Sequence, residues 1–390
     1  MKFAKQIETE SVDLPENWKA SLIRYKSLKK VIHSVVNELE SRGLAEKLLL
    51  GNKLDSMELV YEFDGDAQDP QPCLKVTTLD SAISRNSTTT IKLEKDSDFF
   101  HLLLNGLSLA AAVKDSEQRK ITNDIEQLEK ELAIAAAPKK RDMYTWRHIF
   151  KLYLEASILE GAHDDSEQCD MQTFQKTRER LKWFLDEVSR LGLDKKMGSK
   201  KSKQALAQFL AMNTEIMDFK RFHLLNRMAL VKILKKHDKH SGLRAKTVFP
   251  AFAGKNAILL DGVLLSLYTV ISNKVITIVP QIDSYTCPIC YALAWRPIRL
   301  QCGHVYCVRC VIKANRKKMY DCPMCRCDFA VGNADAGNLD RGLQNFMMLY
   351  FPKEIKQKKR DDEQEQAMMD MEAITGRAWT QTSNDACCIM

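Results

Sequence analysis

The feature that most constrains the fold is a cluster of cysteines in the last third of the chain. Seven of the 12 cysteines and one histidine lie within residues 287–326. They form four pairs whose members are separated by one or two residues, namely Cys287, Cys290, Cys302, His304, Cys307, Cys310, Cys322 and Cys325. Cysteines spaced in this way form either a disulfide framework or a metal site.

The cellular compartment decides between these two possibilities. The opening segment MKFAKQIETE has no apolar core of the signal-peptide type. The longest apolar run, residues 257–271, contains Asp261 and is shorter than the roughly 20 residues that cross a membrane. We therefore expect a cytoplasmic chain without a transmembrane helix. Thiols stay reduced in the cytoplasm, so the cysteine cluster is expected to bind metal.

Eight ligands suffice for two Zn²⁺ ions, because structural zinc sites use four tetrahedral sulfur or nitrogen ligands. Such closed sites leave no position for a catalytic water, so both ions are expected to be structural. The segment is too short for a sizeable apolar core, and zinc binding of about 10–16 kcal/mol would supply the missing folding energy. Incidental cysteines and a zinc module that only assembles partners are the alternative interpretations.

This spacing resembles the RING finger, a family that acts as ubiquitin ligases by docking a ubiquitin-conjugating enzyme charged with ubiquitin. Ligands interleave in RING fingers. The resemblance therefore implies one zinc site of Cys287, Cys290, Cys307 and Cys310, and a second of Cys302, His304, Cys322 and Cys325.

The resemblance also implies the residues that act on the conjugating enzyme. Ile289 and Pro323 would make apolar contacts with it. Arg326 would hydrogen-bond both ubiquitin and the conjugating enzyme and orient the thioester, a role that suits the fixed fork of a guanidinium. A solvated surface arginine is the alternative. Ala314 stands where many RING fingers have tryptophan, so the choice of conjugating enzyme stays open.

The rest of the chain indicates a mainly α protein. Apolar residues recur at helical spacing in residues 15–42, and further long helices are predicted at 99–137, 143–160, 171–192 and 202–237. Long amphipathic helices with few strands indicate a helical bundle. The polar residues 51–98 are expected to form a loop or a partly disordered insertion, and residues 195–203 another exposed loop.

These patterns divide the chain into four regions. An N-terminal bundle of long helices is expected over residues 1–245, with the polar insertion inside it, and an apolar connector over 246–284. A small zinc-stabilised α/β RING finger would follow at 285–330. Residues 331–390 are expected to be a helical and flexible tail whose helix breaks near Pro352.

The second constellation is a row of lysines on a predicted helix. Their positions at i, i+3, i+4 and i+7 align four ammonium groups on one helix face. The four lysines are Lys232, Lys235, Lys236 and Lys239. Leu230, Ile233 and Leu234 would face the bundle from the other side. A basic row is often only a solvated face, so this pattern alone does not establish an anion site.

Together with the N-terminal segments MKFAKQI and WKASLIRYKSLKK, the lysine row resembles the SPX domain, a helical module that binds inositol polyphosphates and pyrophosphates. The resemblance implies that Tyr25, Lys29 and Lys235 contact phosphate groups. It further implies a neighbouring lysine surface, with help from the N-terminus; these residues are Lys232, Lys236, Lys239 and Lys2.

SPX and RING modules occur in this order in plant and fungal proteins of the SPX-RING type. The resemblance implies a RING-type ubiquitin ligase in phosphate homeostasis, with a ubiquitin-conjugating enzyme, ubiquitin and a protein substrate such as a membrane transporter as partners. A non-catalytic zinc scaffold in phosphate signalling is the alternative. No nucleic-acid partner is expected, because aromatic residues do not interleave with the lysines.

The last four residues, CCIM, fit a prenylation signal. Cys387 would carry the lipid, and Met390 favours farnesyl. One lipid chain gives only marginal anchoring, so the prenylated chain would be peripheral at a membrane. Four-residue motifs also arise by chance, which leaves two incidental cysteines as the alternative.

Overall fold

The structure of the protein is a computed structural model, and it describes residues 3–44, 57–66, 69–78, 87–158, 171–253 and 262–375. The chain divides into two compact units. The first comprises Met1–Leu132 and Leu152–Ile276, and the second comprises Ala133–Lys151 and Thr277–Met390. The expected fold class, mainly α with long N-terminal helices and a small C-terminal RING region, is confirmed.

Helices make up most of the described chain. They are α1 (Phe3–Glu10), α2 (Glu16–Ala20), α3 (Tyr25–Ser41), α4 (Glu94–Ala135), α5 (Asp142–Glu155), α6 (Met171–Arg190), α7 (Leu193–Lys196), α8 (Lys200–Ser241), α9 (Ala245–Ala253), α10 (Gly262–Lys274), α11 (Val308–Arg316), α12 (Arg341–Tyr350) and α13 (Pro352–Thr375). The strands are β1 (Met57–Asp64), β2 (Gln71–Thr78), β3 (Ser87–Lys92), β4 (Pro297–Arg299) and β5 (Val305–Cys307).

Local interactions determine where the long helix α8 begins and ends. The Ser199 side chain accepts a hydrogen bond from the Ser202 backbone N–H at 2.9 Å and caps the first turn. Gly242 follows the last turn with a φ of +73°, a left-handed conformation that glycine adopts without steric cost. Because α7 ends at Lys196 and α8 begins at Lys200, the prediction of a loop over residues 195–203 holds only for residues 197–199.

The predicted continuous helix over residues 15–42 is also wrong, because the chain breaks between α2 and α3. At this break the backbone N–H of Ile23 donates to the side-chain oxygen of Asn226 in α8 at 2.9 Å. A buried partner on another helix therefore satisfies the donor that a continuous helix would have satisfied internally.

The prediction of a loop or disordered insertion at 51–98 is wrong for the residues that the structure describes. Strands β1, β2 and β3 form an antiparallel sheet in which Tyr61 pairs with Leu74 and Leu74 with Ile91. The β-branched threonines and valines of these strands suit a pleated sheet although they read as polar sequence. One face is buried through residues such as Tyr61 and Leu74.

Aromatic side chains cover the buried face of this sheet. The ring of Phe63 lies 4.7 Å from Phe100 of α4, 5.7 Å from Phe249 and 5.0 Å from Phe252, both of α9. Such ring pairs each contribute about 0.5–1.5 kcal/mol beyond the area that they bury. Part of the apolar connector predicted at 246–284 therefore packs as a helix against the sheet.

Helices α3 and α8 pack against each other through their apolar faces. In α3 the buried residues are Leu28, Ile32, Val35 and Leu39, which follow the predicted helical period. In α8 the predicted inward stripe of Leu230, Ile233 and Leu234 is buried, as expected. The lysine row of α8 therefore lies towards solvent; it consists of Lys232, Lys235, Lys236 and Lys239.

The second unit contains the RING region and the C-terminal helices. Its β4–β5 hairpin and α11 surround an apolar cluster with Tyr306 and Val331 at its centre. A second cluster places Trp295 against Phe351 and Ile355. The expected break near Pro352 is confirmed, since α12 ends at Tyr350 and α13 begins with the proline.

Residues 133–151, which the sequence placed in the helical domain, belong to this second unit. The buried Arg147 side chain donates to the carbonyl oxygens of Pro280 at 3.1 Å and Tyr350 at 2.7 Å. Its guanidinium also lies 4.4 Å from the centre of the Phe351 ring and 3.3 Å from the Glu354 carboxylate. None of the described helices is long and apolar enough to span a bilayer.

Candidate zinc centres and anion site

The eight predicted ligands form two groups of four. The first group is Cys287, Cys290, Cys307 and Cys310, and the second is Cys302, His304, Cys322 and Cys325. Within each group the ligand atoms all lie within 4.8 Å of one another. These are the two interleaved sets that the RING resemblance implied, and each brings together a residue pair from early in the segment and one from later.

The distances within the groups fit zinc. Zinc–sulfur bonds of about 2.3 Å place the sulfurs of a tetrahedron roughly 3.8 Å apart. The Sγ atoms of Cys290 and Cys307 are 3.9 Å apart, and His304 Nδ1 lies 3.5 Å from Cys302 Sγ and 3.6 Å from Cys322 Sγ. The cysteines of the described chain are free thiols, so no disulfide competes for these ligands.

Two turns of identical geometry carry the first and last ligand pairs. In the sequence CPICY the Tyr291 N–H donates to the Cys287 carbonyl at 2.8 Å, and in CPMCR the Arg326 N–H donates to the Cys322 carbonyl at 2.8 Å. Tyr291 and Arg326 have φ values of +54° and +56°. The turns are therefore equivalent, and the equivalence makes Met324 the counterpart of Ile289.

The residues predicted to act on a conjugating enzyme are all exposed on these turns. Ile289 is 40% exposed, and Pro323 and Arg326 are also exposed. Met324, which the sequence interpretation missed, is 59% exposed. The repeated CPxC pattern could have predicted Met324, because it places one side chain at the tip of each turn.

The tryptophan position of the family has a different environment here. Ala314 is buried in the RING core, so it does not stand at the surface as a shortened docking residue. The exposed apolar side chain of α11 is instead Ile312, two residues earlier.

Ion pairs connect helix α13 to the RING region. Arg309 and Lys313 of α11 pair with Glu365, and the Arg309 contact measures 2.9 Å. Lys358 forms a 3.0 Å ion pair with Asp362, and its Nζ lies 3.9 Å from Cys290 Sγ. A cation beside a zinc thiolate is an outer-sphere contact of the kind that orients and tunes a metal ligand.

All the predicted phosphate-binding residues except Lys2 lie on two neighbouring helices, α3 and α8. Phe3 of α1 joins them, since its ring lies 5.1 Å from the Tyr25 ring and 3.9 Å from Lys232 Nζ. Burial raises the pKa of the Tyr25 hydroxyl, which keeps it available as a hydrogen-bond donor. Phe3 was not predicted from sequence.

Positively charged residues act on His240, which lies near the end of α8. Partial burial lowers the pKa of His240, and the charges of Lys236, His33, Lys239 and Lys29 lower it further. The rings of His33 in α3 and His240 in α8 lie 6.4 Å apart. Lys29 precedes His33 and Lys236 precedes His240 by one helical turn, so both lysines lie near this junction of the packed helices. Lys235 is exposed on α8. Lys2 lies outside the described residues.

A buried polar chain holds the lysine-bearing end of α8. His237 Nε2 lies 2.6 Å from Asp96 Oδ1 of α4, and the Tyr61 hydroxyl of β1 donates to Asp96 Oδ2 at 2.6 Å. His237 and Asp96 are fully buried. His237 occupies the opposite helix face from the lysines. The hydrogen bonds that join His237, Asp96 and Tyr61 therefore fix the orientation of the basic row. The sequence interpretation missed it.

Family models match two parts of the chain. The family model of the SPX domain matches residues 58–252, half of the 390 residues, and that of the C3HC4-type zinc finger (RING finger) matches residues 287–325. This chain is an SPX–RING protein. The SPX match includes the lysine row of α8, whereas Tyr25 and Lys29 precede it.

Two fungal relatives resemble this SPX–RING protein over most of its length. It is 28% identical to transcriptional regulator of yeast form adherence 3 of Candida albicans, over 94% of this chain and 96% of the relative. It is 33% identical to an uncharacterized RING finger protein of Schizosaccharomyces pombe. That match covers 73% of this chain but only 62% of the relative, less than two thirds of it.

A shorter similarity links the SPX–RING protein to known ligases. The human E3 ubiquitin-protein ligase RNF125 is 33% identical over 45 residues, which are 12% of this chain and 19% of the relative. No solved structure is significantly similar to the chain. Cys387 lies outside the described residues, so its prenylation stays a prediction.

Proposed function

We propose that this SPX–RING protein is a RING-type ubiquitin ligase whose helical domain binds an inositol polyphosphate. The observation that carries the ligase half is the exposure of Ile289, Pro323 and Arg326 on two equivalent turns that closed zinc-type clusters hold in place. The similarity to an E3 ubiquitin-protein ligase supports the same activity. The expected partners are a ubiquitin-conjugating enzyme, ubiquitin and a protein substrate; a membrane transporter is the substrate class that we propose.

The mechanism follows from what these side chains can do. Bound zinc would keep the two turns folded and would supply no other chemistry. Ile289, Pro323 and Met324 would offer an apolar surface to the conjugating enzyme. Arg326 would donate hydrogen bonds to both ubiquitin and the enzyme, because its guanidinium carries several donors in a rigid plane. Transfer would be accelerated by holding the thioester in a reactive pose.

Replacement of Ile289 by alanine tests the docking surface. We expect ubiquitin discharge from a loaded conjugating enzyme to fall about 30-fold, because a central apolar contact contributes about 2 kcal/mol or more to binding. Discharge in a single turnover is the measurement. Zinc content should stay unchanged, since the side chain is exposed and binds no metal.

Ile374→Ala is the matched control, because Ile374 is an exposed isoleucine of α13. It should leave discharge unchanged. Full activity in Ile289→Ala would contradict the docking surface. Loss of discharge in Arg326→Ala with retained binding of the conjugating enzyme would separate orientation from docking. Binding without discharge in the wild-type protein would favour the alternative, a non-catalytic zinc scaffold.

The anion-binding half rests on the lysines of α3 and α8. Lys29 and Lys236 lie on the packed helices α3 and α8, one turn before His33 and His240. Lys29, Lys236 and Lys239 form no ion pair with a carboxylate among the described residues. Lys232, Lys235, Tyr25 and Lys2 would extend this surface. A dense anion such as an inositol polyphosphate or pyrophosphate would supply the missing negative charge, with lysines as flexible donors to phosphate oxygens.

The double variant Lys29→Ala/Lys236→Ala tests this site. Its affinity for inositol hexakisphosphate should fall at least about a hundredfold, because two charge-assisted hydrogen bonds of about 1.5–3 kcal/mol each are removed. Calorimetry measures the effect. Lys195→Ala/Lys196→Ala removes the same charge from exposed positions of α7 and should bind like wild type. An unchanged affinity in the first variant would show that the anion binds elsewhere.

A further inference from the structure

We propose that His33 and His240 complete the anion site as pH-dependent ligands, so that a polyphosphate binds together with protons. This inference rests on the proposed anion site between α3 and α8. It adds two residues that the SPX resemblance did not supply and a property, proton-coupled affinity, that lysines cannot provide, because they stay charged throughout the physiological pH range.

The placement of the two imidazoles carries the proposal. His33 follows Lys29 by one turn of α3, and His240 follows Lys236 by one turn of α8. Residues four apart lie on the same helix face. The two histidine rings lie 6.4 Å apart between centres, and both side chains are exposed. Two lysine–histidine pairs therefore face one another across the junction of two helices.

The charges that act most strongly on His240 are positive. The charged and titratable groups that act on it are Lys29 and His33 of α3 and Lys236 and Lys239 of its own helix. The nearby Asp238 carboxylate contacts His237 at 3.4 Å and accepts a hydrogen bond from the Lys246 N–H at 3.0 Å. It is therefore committed to the other side of α8.

This arrangement disfavours protonation of His240 until an anion arrives. Partial burial and then the neighbouring lysines lower the pKa of His240 in the free protein. A polyphosphate placed over the lysines reverses the sign of the local field and favours the protonated rings. Each protonated ring then donates a hydrogen bond to phosphate. Binding takes up protons, and affinity for the anion rises as the pH falls.

The loss of affinity caused by replacing both histidines should depend on pH. In the full chain, His33→Gln/His240→Gln should bind inositol hexakisphosphate about tenfold more weakly than wild type at about pH 6, and less than about twofold more weakly at about pH 7.5. Comparing the two proteins at each pH cancels the titration of the ligand itself. Calorimetry in two buffers of different ionisation enthalpy should also show proton uptake by the wild type that the variant loses.

His101→Gln is the matched control, because His101 is an exposed histidine of the same unit that contacts Asp69 at 3.2 Å. It should retain wild-type affinity and proton uptake. Equal affinities of wild type and the double histidine variant at both pH values would overturn this inference while leaving the lysine site intact. Failure of the wild type to bind at either pH would overturn the proposed anion site as well.

Discussion

Replacement of Cys322 by serine is expected to unfold the RING region and to remove zinc from the second group of ligands. Cys322 is buried, and its Sγ lies 3.2 Å from the Tyr306 hydroxyl at the centre of the RING core. Structural zinc contributes about 10–16 kcal/mol to the folding of small modules, so losing a thiolate ligand should cost more than about 5 kcal/mol. The measurements are zinc content by mass spectrometry and protease resistance of residues 287–326.

Cys327→Ser provides a control for this prediction. Cys327 is two residues beyond Cys325 but belongs to neither group of ligands. It should keep two zinc ions per chain and full protease resistance. A Cys322→Ser protein that keeps both ions and stays folded would show that the second group is not a zinc site.

Replacement of His237 by alanine should produce the second-largest loss, a decrease of about 3–5 kcal/mol in the free energy of unfolding near neutral pH. The substitution leaves the Asp96 carboxylate buried without its charged partner. Chemical denaturation followed by helical circular dichroism measures the effect. His101→Ala, at an exposed position, should change stability by less than about 0.5 kcal/mol.

The cost of the His237 substitution should depend on pH with a defined sign. Burial by itself lowers the pKa of His237, but Asp96 and Asp238 outweigh it and raise the pKa to about 9. Because the folded-state pKa is above the usual value of about 6.5, the ion pair contributes its full stabilisation below a pH of about 6.5. The contribution then decreases as the pH rises towards about 9. A pH-independent difference between the two proteins would contradict a charged His237.

Features set by local spacing could be predicted from sequence. The eight zinc ligands follow from the positions of Cys287 to Cys325, because short turns determine which thiolates meet. The buried stripe of α3 follows from helical period in the same way. The RING resemblance supplied the pairing of distant ligands, which spacing alone left open.

Features set by distant partners could not be predicted. Asp96 lies 35 residues from Tyr61 and 141 residues from His237, the two residues that it contacts. In the sequence, His237 looks like part of a basic run. The three-stranded sheet was missed because threonine-rich strands with one buried face have the composition of a polar loop. In both cases a tertiary contact decides what local composition leaves ambiguous.

The histidines of the anion site illustrate the same limit. His33 and His240 are exposed residues on separate helices, and nothing in either segment indicates that their rings lie 6.4 Å apart. Only the packing of α3 against α8 makes them one site with Lys29 and Lys236.

The most direct test of the ligase activity is single-turnover discharge of ubiquitin from a panel of loaded conjugating enzymes by the full-length, zinc-loaded protein. Orientation of the thioester predicts an acceleration on the order of a hundredfold over the conjugating enzyme alone for at least one of them. Protein that carries two zinc ions, is fully folded and accelerates discharge from none of the panel would contradict the proposed function.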